Sequence, residues 1–390
     1  MSWDYVTLDK LGSISRGKSK HRPRNDKFLF GGKHPFIQTA DVKAAGLYLT
    51  EYTETYNDKG LEQSKLWPAG TLCITIAANI ADTTILGIDA CFPDSVMGFI
   101  PYKGISNVKF VKYAFDILQK DCKKISQGTA QDNLSWKKLS TIKFPAPPIE
   151  VQDKIVSFLS VYDDLIENNQ KQIKLLEEVA QRLYKEWFVD LRFPGYEDVK
   201  IVDGVPEGWK NIKLVDIADI IMGQSPKSEF YNNEQVGIPF HQGVGSYGRR
   251  FVIDEVYSTS YTRIAEENSI LFSVRAPVGR LNITKNKIVI GRGLAAIKHK
   301  QGYQSYLFYL LKERFFKDNL VGNGAIFASI TKDELLNQIF LVANEKLVVS
   351  YDEIVKNIDA KINALDSQID LLVQARNRLL PKLMSGEIEV

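Results

Sequence analysis

Cysteine and histidine are scarce in this 390-residue chain, with three of the first and four of the second. Cys73, Cys91 and Cys122 are scattered and odd in number, which argues against a disulfide framework and a paired-cysteine metal site. His21, His34, His241 and His299 form no H-E-x-x-H pair, so that class of metal centre is excluded as well. No apolar run approaches the ~18 residues of a membrane-spanning helix. The opening residues, "MSWDYVTLDK", lack the basic and apolar regions of a signal peptide, and a cytoplasmic location away from any membrane is the expectation.

What is present describes a globular chain long enough for two domains, with 25% charged and 44% hydrophobic residues. The net charge is only +3, but it is unevenly spread. Residues 1–40 hold eight lysines and arginines against three aspartates. A local basic patch in a near-neutral protein points to a polyanionic partner, with a solvated loop as the bland alternative. Inside that patch "GSISRGKS", Gly12 to Ser19, fits the letters of a phosphate-binding P-loop. A P-loop needs a helix N-terminus aimed at the anion. Here "KHRPRNDKF" follows, and Pro23 disfavours helical geometry in Arg22, so a P-loop NTPase is retained only as a rival reading.

The chain is written twice. "DDLIENNQKQIKLLEEVAQRL", ending at Leu183, matches "DAKINALDSQIDLLVQARNRL", ending at Leu379, at an offset of 196. Asp163 meets Asp359, Gln172 meets Gln368 and Arg182 meets Arg378, and Gly128 meets Gly324 further upstream. Near the start of each half the offset is 206, pairing Trp3 with Trp209, Ile14 with Ile220, Gly17 with Gly223 and Ser19 with Ser225. "HPFIQ" and "IPFHQ" then pair Gln38 with Gln242 at 204. Lys18, the supposed phosphate-binding lysine, faces Gln224. The repeats share the Gly and the Ser, which mark a turn with a hydroxyl at a set place. "GTLCITIAANI" and "NSILFSVRAPVG" read as matching buried strands, aligned at 199 with Leu72 against Leu271, and "GLAAIK" (293–298) as another short strand.

Each half ends in a heptad seam. The first runs through Ile155, Leu159, Tyr162, Ile166, Asn169, Ile173, Leu176, Ala180, Leu183 and Trp187. The second runs through Tyr351, Val355, Ile358, Ile362, Leu365, Ile369, Leu372, Arg376, Leu379 and Leu383. A narrow stripe occurring twice predicts two long helices packed on each other, antiparallel because the first leads into the second domain and the second must return. From Ile155 to Trp187 such a rod is roughly 50 Å long at 1.5 Å per residue. Asn169 and Arg376 interrupt the seam, where polar residues can set register. The fold expected is mixed α/β (α+β): two related globular domains and two antiparallel coiled-coil helices, divided as residues 1–150, 151–193, 194–346 and 347–390. Two diverged modules on rods suit a split DNA target, whose half-sites lie about one helical turn, ~34 Å, apart.

At this point the sequence resembles the specificity subunit of type I restriction-modification systems. The likeness rests on "WDYVTLDKLGSIS" and "PEGWKNIKLVDIADIIMGQSP" at the domain starts, on "QGTAQDNLSWKKLSTIKFPAPPIEVQDKI", and on the C-terminal "LLPKLMSGEIEV". The stretch from Gly128-Thr129 to Pro147-Pro148 with Gln152 is its most specific piece, and the second repeat lacks that proline pair. The resemblance implies a non-catalytic subunit with two target-recognition domains, one for each half of a bipartite sequence in double-stranded DNA, and helices that act as a ruler between them. It implies two methyltransferase subunits using S-adenosylmethionine as partners, then restriction and translocase subunits using ATP and Mg, and no cofactor or metal in this chain. The chain has no N-P-P-[FY] or D-P-P-[FY] tetrapeptide of its own. A stand-alone DNA-binding scaffold without a methyltransferase is the other rival.

Candidate DNA contacts follow from chemistry, since Arg and Gln can make bidentate base contacts while Lys more often meets phosphate. In the first half they are Arg16, Lys18, Lys20, Arg22 and Arg24, with Lys123, Lys124 and Gln127 as a second patch. In the second half they are Gln242, Tyr247, Arg249 and Arg250 in the glycine-rich "HQGVGSYGRRF", and Arg275, Arg280 and Arg292 beside the strands.

Overall fold

The computed structural model describes residues 3–126, 134–315 and 329–390. Gln127, Gly128, Thr129 and Gly324 lie outside the described residues. The chain divides into two compact units, Met1–Lys171 with Asp366–Val390, and Gln172–Leu365. Each unit therefore holds one globular module and part of each long helix.

In the first unit a five-stranded sheet has the order Gly12–Arg16, Val96–Pro101, Leu72–Thr75, Thr83–Leu86, Tyr48–Leu49. A second sheet orders Glu54–Tyr56, Phe30–Phe36, Ala90–Cys91 and Leu66–Trp67. Every residue of Leu72–Thr75 is buried, and the helix Val108–Ser126 contributes Phe110, Val111, Ala114 and Phe115 to the same core. The second unit repeats the plan. Its first sheet orders Ala218–Met222, Leu294–His299, Ile270–Ser273 and Leu281–Ile283, and the helix Gln304–Phe315 is buried from Ser305 to Leu311. A helix apolar on all sides belongs in a core. In both units a strand from the front of the module closes on the strand just before the long helix: Tyr5–Thr7 on Lys143–Pro145, and Lys210–Lys213 on Ile339–Val342.

One expected alignment is off by a residue. Ile14 pairs with Phe99, which pairs with Leu72; Ile220 pairs with Ile297, which pairs with Ile270. With Ile14 equivalent to Ile220, Leu72 corresponds to Ile270, at an offset of 198, and not to Leu271. Strands buried on both faces carry no alternation of apolar and polar residues, so their register is invisible in the pattern.

The first long helix spans Ile149–Tyr184, followed by a π turn over Lys185–Val189; the second spans Glu345–Ser385. Trp187 and its neighbour Phe188 are both buried in this π turn. Every position of both heptad seams is buried or half-buried. Within the first unit Asp163 meets Arg376 at 2.5 Å, and Asn169 Nδ2 donates to Gln368 Oε1 at 3.2 Å. The rising number on one helix meets a falling number on the other, which is the antiparallel arrangement. In the second unit the Tyr351 hydroxyl donates to the Ala180 carbonyl at 3.0 Å. The polar seam residues are thus paired, as a buried polar group must be to avoid a desolvation cost.

Gln152, singled out within the proline-rich lead-in, is 1% exposed and fully used. Its Nε2 donates to the carbonyls of Ile105 and Pro147, both at 2.9 Å, and its Oε1 accepts from Asn107 N–H at 3.0 Å. It ties the start of the helix to the module.

Candidate nucleic-acid interface

The P-loop reading fails on geometry. Gly12–Arg16 is a strand, and Ser19 is buried. The nearest helical turn after it is a three-residue 3₁₀ segment, Lys27–Leu29. Gly17 instead serves close packing: a Cβ there would fall 2.3 Å from the Phe92 and Pro93 carbonyl oxygens. Gly17 N–H donates to Val96 O at 2.8 Å and Lys18 N–H to Phe92 O at 3.0 Å. The second repeat does the same. Gly223 N–H donates to Leu294 O and Gln224 N–H to Ile290 O, both at 2.9 Å, and a Cβ at Gly223 would fall 2.1 Å from Gly291 O. The shared Gly is a point where two backbones touch.

Beside this knot each unit has a cleft, of about 580 Å³ in the first and about 720 Å³ in the second. Ser19 and Gln38 line one, and their repeat equivalents Ser225 and Gln242 line the other. The chemistry around them differs. Asp94 holds Arg24 at 2.8 Å in the first unit, and Gln38 Nε2 donates to Glu54 at 2.5 Å. In the second unit Arg292 stands at the position of Asp94, and Ser225 Oγ donates to Gln242 Oε1 at 2.8 Å.

The sequence-derived cations separate by surroundings. Arg16, Lys18 and Lys20 are exposed and have no acidic partner among the described residues. Arg22 is folded onto the Ser19 and His21 carbonyls at 2.8 and 2.7 Å, and shapes the loop. Lys123 and Lys124, at the end of their helix, lie 3.9 Å from Asp82 and 3.7 Å from Asp121. In the second unit Gln242, Arg249, Arg275, Arg280 and Arg292 are exposed.

Arg250 does not belong with them. Its side chain is 3% exposed, bonded to Asp359 at 2.6 Å, 3.5 Å from Glu177, and packed over the Phe308 ring at 3.8 Å. Burial pulls its pKa down, but Tyr309, Asp359 and Glu177 more than offset this and leave it raised. A guanidinium so enclosed cannot reach a base. Tyr247 is also turned inward: its hydroxyl is buried without a hydrogen-bond partner among the described residues, and burial raises its pKa. The Arg250 cluster has a counterpart in the first unit, where Asp163 accepts from Tyr113 and Arg376. Asp163 and Asp359, like Tyr113 and Tyr309, are repeat equivalents at 196, yet the arginine comes from a helix in one unit and a loop in the other.

Two further features emerge from the structure. Asp94 matters only because the fold sets it against Arg24. A second, exposed apolar stripe also runs on the helices. It comprises Phe158, Val161, Leu165 and Leu371 in the first unit, and Leu175, Val179 and Ile354 in the second, each more than 40% exposed. Phe158, Val161 and Leu165 follow heptad spacing, so the stripe was readable alongside the seam. Among the described residues no group of three or more His, Cys, Asp or Glu could hold a metal, and no helix is long and apolar enough to cross a membrane.

The family model described as type I restriction modification DNA specificity domain matches residues 2–178 and 206–368, once in each repeat. The MjaX type I restriction enzyme specificity subunit of Methanocaldococcus jannaschii is 33% identical over 272 residues, spanning 67% of this chain and 62% of that relative. The MjaIX specificity subunit of the same organism is 26% identical over 409 residues, spanning 100% of this chain and 94% of the relative. The crystal structure of a type I restriction-modification system S subunit from M. genitalium is similar in fold, with a TM-score of 0.56 at 16% identity, over 98% of this chain and 96% of that one.

Proposed function

The chain belongs to the type I restriction modification DNA specificity family, and from that premise we propose that it is the subunit that selects the DNA target of a type I restriction-modification complex. Each unit reads one half of a bipartite site in double-stranded DNA. The observation that carries this reading is the duplication itself. One fold is built twice, with the same backbone knot beside each cleft and opposite charges at the equivalent positions Asp94 and Arg292. Two copies of one reader with different contact residues suit two different half-sites. Exposed Arg16, Lys18 and Lys20 in one unit, and Arg249, Arg275 and Arg292 in the other, supply the cations that a phosphate backbone attracts.

The partners proposed are two methyltransferase subunits, which bring S-adenosylmethionine, and restriction and translocase subunits, which bring ATP and Mg. This chain contributes recognition and no catalytic centre, acts in the cytoplasm, and the paired helices set the distance between half-sites. The exposed stripe on those helices is the docking surface for the methyltransferase. Exposed apolar side chains grouped on a helix, as Phe158, Val161 and Leu165 are, favour burial against a partner.

The test is co-expression with the cognate methyltransferase subunit in a host free of adenine methylation, followed by mapping of N6-methyladenine. A bipartite motif with a non-specific spacer is expected. A continuous motif, or methylation unchanged when this chain is omitted, would refute the reading.

A further inference from the structure

Three backbone segments of the second unit meet at one point: 223–225, 241–243 and 290–294. Gly291 N–H donates to His241 O at 2.8 Å and Gly293 N–H to Gln242 O at 3.1 Å, in addition to the two bonds from Gly223 and Gln224. The approach is closer than side chains allow. A Cβ at Gly291 would fall 2.7 Å from Gln242 Oε1, and one at Gly293 would fall 2.5 Å from Gln242 O. The glycines on both sides of Arg292 therefore hold its backbone in place while its side chain stays exposed. The fixed backbone limits where the solvent-facing guanidinium can reach.

The neighbouring amide is polarised in one direction. Gln242 Oε1 accepts from Ser225 Oγ at 2.8 Å, and Ser225 Oγ in turn accepts from Arg292 N–H at 3.3 Å. The chain of bonds uses the acceptor of the amide and leaves its Nε2 hydrogens as donors. An unconstrained Gln offers a donor and an acceptor, the pattern that suits adenine. Here Ser225 takes one lone pair of Oε1, so Arg292 and Gln242 together present mainly donors. In the major groove guanine is the base whose edge offers two acceptors, N7 and O6, and no donor.

We propose that Arg292, with Gln242 beside it, reads a guanine in the half-site taken by the second unit. This rests on the function proposed above and deepens it. In the first unit the same point of the fold carries Asp94, flanked by Pro93 and Ser95, and Asp94 holds Arg24. The bonds from Gly17 to Val96 and Lys18 to Phe92 recur as those from Gly223 and Gln224, while the residue they bracket diverges in chemistry, as expected of a residue that sets specificity.

The experiment uses the complex of the full chain with its methyltransferase subunit and maps methylated sites for the wild type, Arg292→Ala, Arg292→Lys and Gln242→Ala. Arg292→Lys keeps the charge and loses the two-pronged geometry. Both arginine variants should accept other bases at one position of one half-site, with discrimination there falling about 5- to 150-fold and the other half-site unchanged. Gln242→Ala should weaken preference at that same position or the one beside it. An unchanged motif with uniformly weaker binding and a flatter salt dependence would make Arg292 a phosphate contact and overturn the assignment. So would the absence of any relaxed position in all three variants. Failure of the wild-type complex to methylate a bipartite site would instead overturn the function itself.

Discussion

Arg250 tests whether burial or sequence context decides the role of an arginine in a DNA-reading loop. Its neighbour Arg249 is exposed, while Arg250 is 3% exposed and bonded to Asp359 at 2.6 Å, with Glu177 at 3.5 Å and Tyr309 Oη at 3.4 Å. Arg250→Ala removes the guanidinium bonded to Asp359 and leaves it the Ser305 hydroxyl, which donates at 2.6 Å. Breaking a buried ion pair from one side costs about 3–5 kcal/mol, because the other charge remains uncompensated. For a unit of roughly 150–250 residues each kcal/mol lowers the melting temperature by about 2–4 °C, so a fall on the order of 6–20 °C is expected. Arg249→Ala should stay within about 0.5 kcal/mol of wild type, as an exposed substitution does. The assay is urea and thermal unfolding followed by circular dichroism, with Arg250→Ala, Asp359→Asn and the double variant forming a cycle. A coupling energy of at least ~1.5 kcal/mol between the two positions is expected for groups in direct contact. If Arg250→Ala unfolded like wild type and changed the methylated motif in one half-site, the buried-anchor role would be wrong, and Arg250 would be a reader after all.

Other consequences are accessible with the same protein. Val161→Glu with Leu165→Glu, on the exposed stripe, should abolish copurification of the methyltransferase subunit while leaving helical content unchanged; retained copurification would remove the stripe as the docking surface. His299 is 8% exposed, burial holds its pKa down to about 4, and its Nδ1 accepts from Gln301 N–H at 3.1 Å. Because the unfolded chain binds the proton more readily, stability should be full above about pH 6.5 and decline as pH falls towards 4. His299→Gln should flatten that part of the pH profile of the melting temperature, and an unchanged slope would assign the acid sensitivity elsewhere.

How far the fold could be read in advance depended on the range of the interaction. The heptad seams from Ile155 to Trp187 and from Tyr351 to Leu383 were legible because a helix face repeats within a few residues, and the same side chains that define the period are the ones buried. Gly17 and Gly223, and Ser19 and Ser225, stood out because the duplication keeps what the backbone needs and varies the rest. The antiparallel pairing followed from connectivity, and Arg376 found Asp163 as a seam residue should.

Tertiary structure decided what depends on distant partners. Arg249 and Arg250 are adjacent in the chain, yet one is exposed and the other closes a pair with a residue 109 positions away. The buried strands Leu72–Thr75 and Ile270–Ser273 are apolar on both faces, so their relation at 198 became visible only through their neighbours in the sheet. The roles of Asp94 and Arg292 likewise appear only when the loops that carry them are set against Arg24 and Gln242. Periodicity records which way a side chain points relative to its own element. Which charge or amide waits on the other side is a property of the packed molecule, because that partner is brought there by folding and leaves no mark on the local pattern.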